Sequence, residues 1–185
     1  MQNRIRIHTA MFRSIIGGAL LGAYSLTAAA DLSIPISAVT SDGVGKNLGK
    51  VDISESPYGV IFNPSLHDLP PGLHGFHVHE NPDCDAQKKE GKLVAAGAAG
   101  SHLDPKKNEA HLAPWEEGHL GDLPTLFVEK DGRAQQPVLA PKLSLKELKN
   151  RALVIHAGAD NYSDQPQKLG GGGERIACGV IGKKL

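Results

Sequence analysis

The sequence predicts an all-β protein, an eight-stranded Greek-key barrel or sandwich carrying two long functional loops. Two observations predict it. Eight short runs, alternating or rich in β-branched residues, are punctuated by Gly, Asp and Pro turn signals. Two long stretches, 81–124 and 158–174, break that pattern. Aromatic residues make up only 4% of the chain, so Val, Ile, Leu and Ala must fill the core. No internal repeat is visible.

The chain opens Met1-Gln2-Asn3-Arg4-Ile5-Arg6, with Arg13 following. An apolar run from about Ile15 to Leu26 leads into Ala28-Ala29-Ala30. A positive start, a short apolar centre and a small-residue end describe a secretory signal peptide over 1–30. Cleavage after Ala30 would leave one domain, 31–185. The apolar run is short for a membrane span, so no membrane is expected in the mature form. The full chain has zero formal charge, and losing Arg4, Arg6 and Arg13 leaves a net −3. That is no nucleic-acid footprint. An anionic ligand would have to be drawn by local charge.

The first strand is Leu32–Thr40, ended by the turn signal Ser41-Asp42-Gly43. Leu48–Glu55 alternates Val51 and Ile53 with polar residues, and Tyr58–Asn63 follows. His67–Gly72, with Pro70-Pro71, is a connection. Gly72–Glu80 is the fourth strand. Its Phe76 and Val78 alternate with His77 and His79, so two imidazoles share one face and two apolar side chains the other. Thr125–Lys130 and Ala134–Leu139 are expected to pair as a hairpin through Asp131-Gly132. Ser144-Leu145-Lys146-Glu147 has capping-box form and predicts one helical turn. Arg151–Ala157 and Ile176–Ile181 complete the strands. The stretch 81–124 reads as one long structureless loop, which a compact domain keeps only for a function.

That function is legible in its side chains. His77, His79 and His156 lie on predicted strands; His102, His111, His119 and Asp122 lie in the loop. Imidazole with one carboxylate suits tetrahedral zinc, and imidazole alone suits copper. These seven groups are one short of two four-coordinate sites. If His102 bridges through its two ring nitrogens, each metal gains four ligands. Cys84 and Cys178 are the only cysteines, and an even count in an exported chain favours one disulfide.

The sequence resembles the copper/zinc superoxide dismutases of the bacterial exported, periplasmic kind. The resemblance rests on Gly72–Glu80, Gly100-Ser101-His102, His111, Gly118–Pro124, His156-Ala157-Gly158, and Gly170–Gly173 leading to Arg175–Gly182. It implies one copper per subunit on His77, His79, His102 and His156, and one zinc on His102, His111, His119 and Asp122. It also implies a Cys84–Cys178 disulfide. Arg175 would receive the superoxide anion, and Asp160, with Asp164 as the neighbouring alternative, would tie a copper histidine to a zinc histidine. The implied activity is antioxidant defence in the periplasm: superoxide becomes dioxygen and hydrogen peroxide, with His102 as a catalytic proton carrier. Monomer and homodimer both stay open.

Plainer readings sit beside these. His74 has the opposite strand parity and should be a hydrogen-bonded structural histidine. His67 and the lysines Lys88, Lys89 and Lys92 read as surface. Gly170–Gly173 lacks the Lys and helix of a phosphate loop and instead lets backbone approach the site. A non-catalytic copper/zinc-binding or metal-delivery protein would need neither Arg175 nor a bridge.

Overall fold

The computed structural model describes residues 32–182. The expected signal peptide lies outside them. Eleven strands run β1 (Leu32–Thr40), β2 (Gly43–Ser56), β3 (Gly59–Leu66), β4 (Gly72–His74), β5 (Phe76–His79), β6 (Gln87–Lys89), β7 (Lys92–Val94), β8 (Leu126–Val128), β9 (Val138–Ala140), β10 (Arg151–His156) and β11 (Arg175–Ile181). One helical turn, α1, spans Leu145–Leu148. Seven strands form one curled sheet in the order β5-β10-β11-β1-β2-β3-β9, and β4 with β8 forms a two-stranded ribbon. The jumps from β3 to β9 and from β5 to β10 are the long crossovers of a Greek key.

Alternation explains the core. Ile34, Ile36, Val51, Ile53, Val60, Phe62, Phe76, Val78, Leu153 and Ile155 all point inward and are buried. Phe62 and Phe76 meet edge to face at 5.8 Å. α1 starts as the capping box requires: the Ser144 backbone N–H donates to Glu147 Oε2 at 2.8 Å, and its hydroxyl lies 2.9 Å from the same oxygen.

The structure departs from the sequence expectation at three places. The His-x-His run is two strands, not one. The chain breaks at Gly75, where a side chain would press the ring of His77 at 3.0 Å and the Cβ of His156 at 3.3 Å. The Gly75 backbone is drawn off the strand: its N–H donates to Gly158 O, and its carbonyl accepts from His156 N, both at 2.8 Å. So β4 pairs with β8, while β5 pairs with β10. Second, β8 and β9 do not pair with each other. The turn at Asp131-Gly132 forms, with Glu129 N–H donating to Arg133 O at 2.7 Å. Its flanks then part to separate partners, β4 and β3, where Leu126, Val128, Val138 and Ala140 are buried. Third, the 81–124 loop is not structureless. It holds a small hairpin, β6–β7, turning at Glu90-Gly91, both at positive φ (50° and 84°).

Cys84 and Cys178 are joined, with Cα atoms 5.8 Å apart and a sequence separation of 94. Small side chains, Ala96, Ala99, Ala152 and Val154, pack around the sulfurs with Val39. The bond therefore ties the first loop to β11. A closed loop of this length restricts the unfolded chain by about 4–5 kcal/mol at most. Reduction should lower unfolding free energy in urea by up to that amount. An unchanged urea midpoint after complete reduction would contradict it.

Candidate metal centre

The site forms where β5, β10 and the first loop meet. β5 presents His77 and His79; β10 ends at His156, opposite Arg175 of β11. The loop covers the free edge of β5 by backbone pairing. Leu103 N–H donates to Val78 O at 2.8 Å, and Val78 N–H donates to Gly121 O at 2.9 Å. Bridges set His77 opposite Asp122 and His79 opposite His102. Main-chain hydrogen bonds thus bring residues far apart in sequence to one place. Both faces of β5 are covered, and all four of its residues are buried.

His102 stands between two groups. Its ring centroid lies 4.1 Å from that of His77 and 4.9 Å from that of His79. It lies 5.4 Å from His111 and 5.5 Å from His119. One donor atom each from His77, His79, His102 and His156 falls within 4.8 Å of the others. A second set meeting that limit is His77, His102, His111 and Asp122. The family resemblance puts His119 where this set has His77. The hydrogen bonds favour His119: His77 commits Nε2 to Asp160 at 2.7 Å and has one nitrogen left for the first group. Asp122 Oδ2 lies 3.0 Å from His111 Nδ1 and 3.2 Å from His119 Nδ1.

The spare nitrogens decide whether metals fit. His77 Nδ1, His79 Nε2, His111 Nδ1, His119 Nδ1 and His156 Nε2 are buried without a hydrogen-bond partner. The short His111 and His119 approaches to Asp122 lack hydrogen-bond alignment. Four of these rings have the opposite nitrogen held. His77 Nε2 and His111 Nε2 face the two oxygens of Asp160 at 2.7 and 2.8 Å. His79 Nδ1 faces Gly100 O and His156 Nδ1 faces Gly173 O, each at 3.1 Å. A ring that donates one N–H outward turns the other nitrogen's lone pair inward, which is how a histidine ligand is prepared. Five buried lone-pair positions without protein partners are costly unless cations complete them. The donor set therefore fits two metal ions.

Asp160, and not Asp164, spans the two groups. Asp164 instead accepts backbone N–H groups of His111 and Leu169, each at 3.0 Å, and so clamps loop to loop. Gly170 shows why glycine lies there: its φ is +70°, and a Cβ would fall 2.0 Å from Asp160 Oδ1. His74 is buried as expected, with its ring nitrogens against His156 O at 2.8 Å and Pro70 O at 2.7 Å.

Arg175 reaches into the loop, donating to Ala96 O at 2.5 Å and Gly100 O at 2.6 Å. The Gly100 carbonyl therefore serves both Arg175 and His79. Sequence reasoning foresaw a close backbone approach at Gly170–Gly173 but gave no carbonyl role to Ala96, Gly100 or Gly173, because no residue type advertises which carbonyl accepts.

Proton affinities differ between the two groups. Burial pushes His77 and His79 well down and His156 to about 4, so these rings are neutral at pH 7. Burial alone would lower His111 too, but Asp122 and Asp160 raise it to about 9. Burial would raise Asp122, yet the His102 hydrogen bond and the close His111 and His119 rings hold it far below the usual carboxylate range. A cation held by His111 would therefore have to displace a proton there at neutral pH. Zinc affinity should fall about tenfold per pH unit below pH 9, because protonation of the metal-free ring competes with the ion. Copper affinity should be flatter over the same range until the lower His156 value is neared. Chelator competition from pH 6 to 9 measures both, and a flat zinc profile would contradict the His111 assignment.

The copper/zinc superoxide dismutase family matches residues 47–181. The Photobacterium leiognathi enzyme named superoxide dismutase [Cu-Zn] is 56% identical over 138 residues, 74% of this chain and 80% of that protein. The Brucella abortus Cu/Zn superoxide dismutase structure is 50% identical at a TM-score of 0.80, covering 81% of this chain and 98% of that one. The solution structure of the monomeric Salmonella enterica enzyme is 54% identical at a TM-score of 0.73, with the same coverage. Two histidine groups sharing His102, a sheet that carries them and this likeness over most of the chain agree: the chain belongs to the copper/zinc superoxide dismutase family, an oxidoreductase that dismutates superoxide with one copper and one zinc.

Proposed function

We propose that His77, His79, His102 and His156 hold the copper, and that His102, His111, His119 and Asp122 hold the zinc. The observation that carries this assignment is the set of unpartnered ring nitrogens, which fall on five of those histidines. When bound, copper supplies a one-electron couple that can accept an electron from one superoxide and return it to the next, while zinc has no redox chemistry. The chain's own residues supply the rest. Asp122 Oδ1 lies 2.8 Å from His102 Nδ1, so that nitrogen faces the zinc residues. That leaves Nε2 of a nearly immobile ring to hold a proton and give it up beside the reacting anion. Asp160 fixes His77 and His111 together, so the two metal positions keep a constant separation. Arg175 stands on the strand pair that carries His156 and offers a permanent positive charge to an incoming anion. His77 and His79 are fully buried, so the protein shields these two rings from bulk water.

The N-terminal segment 1–30 supports an exported form, cleaved after Ala30 and working in the periplasm. A disulfide in the remaining domain is consistent with an oxidising compartment. The Salmonella enterica relative is described as monomeric, and this reading carries the same state over in preference to a homodimer. Elemental analysis with a superoxide-decay assay tests the assignment: about one copper and one zinc per chain are expected, with activity tracking copper. Zinc alone after copper loading would sink it. Intact mass from the periplasmic fraction and light scattering check the cleavage and the oligomeric state.

A further inference from the structure

One ring in the centre has its outer nitrogen unaccounted for. His77, His111, His79 and His156 each meet a carboxylate or carbonyl on the side away from the metals. His119 turns Nδ1 toward Asp122, its side chain is 11% exposed, and among the described residues its Nε2–H makes no protein hydrogen bond of the kind that holds the other four outer nitrogens. A histidine ligand without an outer acceptor is less basic and less firmly oriented.

The complementary vacancy belongs to Asp104. Its Oδ1 is buried and has no hydrogen-bond partner. Its Oδ2 accepts the Glu109 backbone N–H at 2.9 Å, which holds the side chain in place. Asp104 lies two residues beyond His102 and lines the same cleft as His102 and His119. Its negative charge is close enough to act on the His119 ring. A buried carboxylate oxygen without a partner and an imidazole N–H on the same cleft suit each other as a charge-assisted pair.

We propose that Asp104 is the outer carboxylate of the zinc side, accepting the Nε2–H of His119 when Nδ1 of that ring faces the metal. The inference rests on the assignment of zinc to His119. In the metal-free chain the unpaired oxygen is a liability. With zinc bound, the positive charge spread onto His119 makes the same oxygen an asset. Asp104 is thus a positioning residue, acting on zinc through His119 and leaving the copper histidines alone.

The two states make a structural role and a positioning role separable. Asp104→Asn keeps an oxygen for the Glu109 N–H but sets an NH2 donor against the His119 donor. In the full-length protein it should raise the zinc dissociation constant about 10- to 100-fold by chelator competition, the range for outer partners of metal-bound histidines. Copper content should stay unchanged. The melting temperature of the metal-stripped protein should hold or rise, since an unpaired charge has gone. NMR of the zinc-loaded protein with 15N-labelled histidine should show slow solvent exchange of the His119 ring proton in the wild type and faster exchange in Asp104→Asn and Asp104→Ala. His119→Ala is the control for the underlying assignment. If it retains zinc, that assignment fails and the inference goes with it. If it loses zinc while Asp104→Asn binds within twofold of wild type, the inference alone is overturned. A zinc loss matched by an equal fall in metal-stripped stability also overturns it, because loop folding would then be the cause.

Discussion

His102→Ala is expected to strip both metals at once and to abolish dismutation with them. No other candidate ligand should do this. His102 lies 4.1 Å by centroid from His77 and 5.5 Å from His119, whereas His77, 5.4 Å from His111, has its Nε2 tied to Asp160 and one nitrogen left to offer. The Nδ1 of His102 also satisfies Asp122, which in turn collects His111 and His119. Removing the imidazole leaves three donors on each side and frees a buried carboxylate oxygen. Loss of an outer partner costs about 10- to 100-fold in metal affinity, so loss of a direct ligand shared by two ions should exceed about 100-fold for each. Asp122→Ala should fall mainly on zinc, and His79→Ala mainly on copper. Metal analysis and the copper absorption spectrum of the three variants form the test. A His102→Ala protein with full copper, full zinc and a native spectrum would rule out the shared ring.

The second large effect is expected at Arg175. The chain without its first 30 residues carries net −3, yet superoxide is an anion, so attraction must be local. An oriented positive group can raise encounter rates by about 10- to 1000-fold. Arg175→Glu should cut turnover by one to two orders of magnitude, roughly, at low salt. The structure adds a condition to that test. The guanidinium also bonds to Ala96 O and Gly100 O, and Gly100 O orients His79. A carboxylate there would face two carbonyl oxygens and disturb the loop. Arg175→Lys separates the effects: it keeps the charge but can no longer offer a rigid fork to both carbonyls. Its rate should lie between wild type and Arg175→Glu. Added salt should slow the wild type, since screening acts over about 10 Å at 0.1 M, and should slow Arg175→Glu much less. Superoxide decay across ionic strengths, with copper quantified in each variant, measures this. Wild-type rates at low salt in a fully metallated Arg175→Glu protein would refute the role.

How much of this was legible in the chain depends on where each signal resides. The all-β pattern, both long loops, the capping box at Ser144 and the seven ligand candidates are properties of residue type and local spacing. Val, Ile and Leu at every second position commit a segment to a strand whatever its partner. Imidazole, carboxylate and thiol chemistry travels with the side chain, so His77, His79, His102, His111, His119, Asp122, His156 and the two cysteines could be singled out one by one. The family resemblance then ordered them into sets.

Tertiary structure decided what depends on partners. The 72–80 run splits at Gly75 only because His156 and Gly158 come from elsewhere to take its backbone groups. β8 and β9 look like one hairpin locally, but they pair with β4 and β3, where their apolar side chains are buried. Asp160 and Asp164 are four residues apart in one loop, and only the arrival of His77 and His111 distinguishes a carboxylate between two rings from a backbone clamp. The carbonyls of Gly100, Gly173 and Ala96, which orient His79, His156 and Arg175, have no signature in sequence at all. Every residue carries a carbonyl, and which one accepts is settled by long-range register.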